Sequence, residues 1–131
     1  MRLKRTIIGC TAVLALAGAL AAPALAATLS GPTRLHVLQQ ITYKATGLPS
    51  GTYALVIERH PRGASCVAYL ASRRDAAGTE LFHGSLGNGM QCVRDGHRFM
   101  TGVPPGAYRV HVRADAGKGH AVASRSVRVV K

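Results

Sequence analysis

The stretch TGVPPGAYRVHVR, Thr101 to Arg113, repeats the pattern of TGLPSGTYALVIE, Thr46 to Glu58. Each reads Thr-Gly-aliphatic-Pro-x-Gly-x-Tyr and then alternates aliphatic residues. Proline sets φ and withholds a backbone donor, and glycine takes a positive-φ turn position. The tyrosine then enters a strand with its ring inward and its hydroxyl free to bond backbone. In the later copy Tyr108, Val110 and Val112 share one face, and Arg109, His111 and Arg113 share the other. That is a strand with one buried and one wet side. In the earlier copy Tyr53, Leu55 and Ile57 oppose Ala54, Val56 and Glu58. Both faces of its first half are apolar, as in the middle of a packed sheet.

Outward from these two strands, period-two patterning predicts others over Arg34–Leu38, Gln40–Thr46, Ser65–Ala71, Thr79–Leu86, Arg98–Gly102 and Ala121–Val130. Turn residues separate them at Leu48–Gly51, Pro61–Gly63, Asp75–Gly78, Gly87–Gly89, Asp95-Gly96 and Ala116–Gly119. No segment after residue 26 keeps helical periodicity for three turns. Roughly seven or eight short strands predict an all-β fold, an antiparallel β-sandwich.

The stretch TGVPPGAYRVHVRADAGKGHAVASRSVRV resembles the tyrosine-corner region and last two strands of fibronectin type III and other immunoglobulin-like domains. The positions that carry the resemblance are Pro105, Gly106, Tyr108, Val110, Val112, Gly117, Gly119, Ser124, Val127 and Val129. RRDAAGTELFHGSL resembles the Asp-x-x-Gly hairpin of bacterial members of this class. The resemblance implies an immunoglobulin-like sandwich, a fold and not an activity. The chain has no Trp, so the core tryptophan of the antibody type is missing, and Cys66 and Cys92 do not flank its site.

Residues 1–26 read as a cleaved signal peptide. Arg2, Lys4 and Arg5 form a positive start, Ile7 to Leu20 an apolar run, and Ala24-Leu25-Ala26 a small-x-small cleavage site. Cys10 precedes most of the apolar run, whereas lipidation needs it after. Residues 27–131 then form one domain with no transmembrane anchor, secreted to the periplasm or the medium. Two cysteines remain in it, and in an exported chain they are expected to join as Cys66–Cys92. That bond closes a loop of about 27 residues, on the order of 3 to 4 kcal/mol by chain entropy.

Removing Arg2, Lys4 and Arg5 from the 17 Lys and Arg leaves 14 against 5 Asp and Glu, a net charge of +9. Such a balance favours anionic partners, an anionic cell-envelope polymer or an acidic protein surface. If Val127 and Val129 face inward, Arg128 joins Arg109, His111 and Arg113 on one outer face, a candidate anion-binding site. His111 is expected to add charge below about pH 6.5. Arg125 falls on the inward phase of the same strand. Aromatic residues are not interleaved with these cations, so specific nucleic-acid binding is not expected.

CVRDGHRFMTG places Cys92, His97 and Met100 in an order that resembles the copper loop of cupredoxins, small exported β-sandwiches. That resemblance implies an alternative function, copper-binding electron transfer with those three residues as ligands. The histidines lack His-x-His or His-x3-His spacing, which leaves zinc without support. No Gly-x-Ser-x-Gly or phosphate loop occurs. Asp75, Asp95 and Asp115 sit in turn-like sequence beside glycines, leaving Glu58 and Glu80 as the other carboxylates. Ser65 or Ser85 could meet a histidine only through the fold. The expectation is therefore a non-enzymatic, cofactor-free binding or structural module.

Overall fold

A computed structural model describes residues 26–131. The signal-peptide reading concerns residues 1–26 and so lies, but for Ala26, outside the described residues. The fold is all-β, with eight strands: β1 (Thr28–Ser30), β2 (Arg34–His36), β3 (Gln40–Arg59), β4 (Ala64–Ser85), β5 (Met90–Arg94), β6 (His97–Thr101), β7 (Gly106–Arg113) and β8 (Ala121–Val130). They follow the order β2-β8-β7-β3-β4-β5-β6, with β1 added beside β3. All pairs are antiparallel except β2 with β8, which run parallel, a departure from the purely antiparallel expectation. β2 reaches β8 from the far end of the chain, not through a hairpin, so its direction is not tied to that of its neighbour.

The two echoed segments build the same device. Tyr53 donates its hydroxyl proton to the Pro49 carbonyl at 2.5 Å, and Tyr108 donates to the Pro104 carbonyl at 2.6 Å. Both rings are buried. A ring in the core brings its hydroxyl to the rim, where the donor-less proline leaves a carbonyl to accept. The positive-φ glycine differs between copies: Gly47 (φ 73) in the first and Gly106 (φ 145) in the second. Tyr43 repeats the tie, donating to the Pro32 carbonyl at 2.5 Å.

Sequence reading divides Gln40–Arg59 and Ala64–Ser85 at their turn signals, but strand pairing continues through both, past positive-φ residues at Gly47, Asp75 and Gly78. Register shifts between Ala45 and Tyr53 take up Pro49 and the glycines as bulges. The long β3–β4 ribbon bends there. Its outer part pairs Gln40 with Ser85 and carries β1, while its inner part pairs Arg59 with Cys66 and carries β7. The two parts close on one core that includes Tyr43, Phe82, Leu35, Leu55, Ile57 and Val110. Where the two parts face each other a Cβ on Gly84 would lie 2.0 Å from the Leu70 carbonyl oxygen.

β5 was not apparent as a strand in the sequence. Only five residues separate Gly89 from Asp95, too few for alternation to stand out. Asp95 and Gly96, both at positive φ, form the two-residue turn into β6. Cys66 on β4 and Cys92 on β5 are directly opposite in the register and are joined by a disulfide. The bond ties neighbouring strands of one sheet and is buried.

Candidate functional site

The outer face of β8, β7, β3, β4, β5 and β6 carries the chemistry. Along β7 the buried Tyr108, Val110 and Val112 force Arg109, His111 and Arg113 outward. Along β8 the buried Val127 and Val129 do the same for Arg128. All four residues read as a candidate anion site thus share one face. Arg125 points the other way, half-buried, and reaches the Leu29 carbonyl at 3.4 Å. Nearby Tyr43 has its hydroxyl pKa pushed up to about 12 by burial, against the opposing pull of Arg125.

The four are not equivalent. β3 sets Glu58 opposite Arg109 in the register, and Glu58 is the one buried charged residue of the described chain, 9% exposed. Arg113 donates Nε to Glu58 Oε2 and, at 2.9 Å, Nη2 to Oε1. Its Nη1 donates to the Gly119 carbonyl at 3.2 Å. A guanidinium committed at three nitrogens has little left for an external anion. Arg109 donates to Ser126 Oγ at 2.9 Å from one nitrogen only.

His111 is held between Ser124 Oγ, 2.5 Å from its Nδ1, and Glu58, whose Oε1 lies 3.9 Å from its Nε2. Burial pushes its pKa below the ordinary histidine value, and the nearby Arg113, Arg109 and His60 push the same way, against the pull of Glu58. The expected gain of charge just below pH 6.5 is therefore moved to lower pH. Burial alone would raise the Glu58 pKa. The hydrogen bonds and charge of Arg113, with His111 and His60, outweigh it and hold the carboxyl below its ordinary value.

Two contributors escaped sequence reading. Arg34 stands beside Arg128 across the parallel β2–β8 pair, exposed like its neighbour. Only the Arg-Leu-His alternation hinted at its direction, and nothing in sequence announced its neighbour. The second is the Glu58 cluster, which His60 completes. His60 Nε2 is 3.9 Å from Glu58 Oε1, and its Nδ1 is hydrogen-bonded to Ser65 Oγ at 3.2 Å. So Ser65 does meet a histidine beside a carboxylate. Yet both carboxylate oxygens accept from Arg113, and 3.9 Å is too long for a hydrogen bond that would orient the imidazole.

Cys92, His97 and Met100 do not converge. Cys92 is bonded to Cys66, and a disulfide sulfur is not a thiolate donor. His97 and Met100 are three residues apart on one strand, so they leave it on opposite faces. Among the described residues no group of three His, Cys, Asp or Glu is placed to hold a metal ion.

Compared with known proteins, the chain matches no family model and no curated relative.

Proposed function

We propose that the chain is an exported, immunoglobulin-like domain whose role is non-catalytic binding, and that its partner is an anionic polymer. The Tyr108–Pro104 tie supports the immunoglobulin-like reading, since it has the form of a tyrosine corner. The buried disulfide supports export.

One observation carries the binding reading. Arg34 and Arg128 stand side by side at the β2–β8 edge with Arg109 one strand further in, and none of the three enters an ion pair with a described carboxylate. Adjacent like charges cost stability unless an anion offsets them, and guanidiniums suit bidentate contacts with phosphate, sulfate or carboxylate. Retention on a sulfated-polysaccharide resin tests the reading. The R109S/R128S variant is expected to elute at clearly lower salt than the parent, because each lost contact reduces counterion release. Elution of both at the same salt would reduce this strip to a solvated surface.

A further inference from the structure

The opposite half of the same face holds a different feature, a cleft of about 730 Å³. Two register rows define it. One runs Glu58–Val67–Gln91–Met100 and the next Ser65–Val93–Arg98, across β3, β4, β5 and β6. Gly117, in the short 3-10 turn Asp115–Gly117, lines one end. A Cβ at Gly117 would lie 2.6 Å from the Tyr69 ring, and the Arg113 bond to Gly119 ties the following residues to the sheet.

The lining is apolar and cationic together. Val93 is 44% and Met100 67% exposed, a large apolar exposure for neighbouring strands of a chain this charged. Glu58 is the only carboxylate in the lining, and Arg113 already occupies both its oxygens. Arg98 lines the same cleft and enters no ion pair among the described residues. His60 and Ser65, hydrogen-bonded to each other, add polar groups to the lining. The size suits a small organic molecule, and cavities that hold one combine apolar walls with a few placed polar groups. A cation would find no free carboxylate. A purely apolar ligand would leave Arg98 without a counter-charge.

We propose that this cleft binds an amphipathic organic acid, with its anionic head at Arg98 and its apolar body along Val67, Val93 and Met100. The site is separate from the Arg34–Arg128–Arg109 strip and stands whether or not that strip binds a polymer.

Decanoate, kept below its micelle-forming concentration, is a direct probe, followed through the methyl resonances of Val67, Val93 and Met100 in the oxidised protein. Decanol and decyltrimethylammonium serve as the uncharged and cationic counterparts. Saturable shifts of those methyls by decanoate are expected, with decanol at least about tenfold weaker and the cation without effect. Arg98 is exposed on a terminal strand, so R98Q should keep the fold and weaken decanoate by about tenfold or more. R109S/R128S should bind decanoate like the parent. No saturable shift, equal binding of the cation, or an R98Q variant that binds like the parent would each overturn the proposal.

Discussion

Glu58 shows how one residue can change the meaning of a surface. It is a carboxylate in a cationic neighbourhood, under the exposed end of a sheet face, and it removes Arg113 from the pool of free cations. Replacing it with Gln leaves Arg113 facing a neutral acceptor in a half-buried site, and a loss of about 1–3 kcal/mol is expected in denaturant unfolding near neutral pH. The pH dependence has a definite sign. Glu58 has a depressed folded pKa, so its contribution is present above the ordinary glutamate value of about 4.3. It is lost as pH falls through the lower folded value. His111 is also depressed. Its stabilising effect is complete above about pH 6.5 and fades below, because the unfolded chain takes the proton first. Acid unfolding should thus show both windows in the parent and only the histidine window in E58Q. Since Glu58 is the one group that raises the His111 pKa, an NMR titration should find it lower still in E58Q. An unchanged His111 pKa would show that the two side chains are not coupled.

Among the elements, the bent β3–β4 ribbon decides the architecture. It joins the part that carries β1 to the part that carries β7, and its fold is possible because β4 crosses close to itself at Gly84. The obstacle to a side chain there is backbone, the Leu70 carbonyl, which cannot rotate aside. Gly84→Ala is expected to cost about 1–3 kcal/mol or more through overpacking. Gly87→Ala, with nothing within 4 Å of the added carbon, is the matched control and should unfold near the parent midpoint. Equal midpoints for both variants would mean that the two halves of β4 do not approach so closely.

At the scale of the molecule, a domain of about 105 described residues buries a modest core, so one covalent tie weighs heavily. The Cys66–Cys92 bond holds the β5–β6 pair, which among the described strands pairs with the rest of the sheet through Ala64–Val67 of β4. Reduction is expected to lower stability by about 2–5 kcal/mol and to loosen the β5–β6 end first. Hydrogen exchange of the Met90–Thr101 amides, with and without reductant, measures this. Unchanged exchange there after reduction would show that packing alone holds the wing. Since two of its strands bound the cleft, decanoate binding should weaken in the reduced protein.

What the sequence determined by itself is the part governed by local rules. Period-two alternation and turn residues specify an all-β chain, β8 from Ala121 to Val130 with both limits, and the outward direction of Arg109, His111, Arg113 and Arg128. The Thr-Gly-x-Pro echo specifies two tyrosine ties, since proline, glycine and tyrosine act within a few residues of one another. The cysteine pairing follows from there being only two cysteines after residue 26. What the tertiary structure decided depends on which strands become neighbours, which side-chain spacing cannot encode. Leu48–Gly51 and Asp75–Gly78 have turn composition yet do not end their strands: Asp75 and Gly78 take positive φ, and long-range pairing carries the ladder past both segments as bulges. Glu58 and Arg113 are 55 residues apart and meet only because β3 pairs with β7. Arg34 finds Arg128 only through the parallel β2–β8 contact, and the cleft exists only where four strands lie side by side. Local chemistry chose the strands and their faces, and long-range strand pairing chose which charges are neutralised and which are left facing solvent.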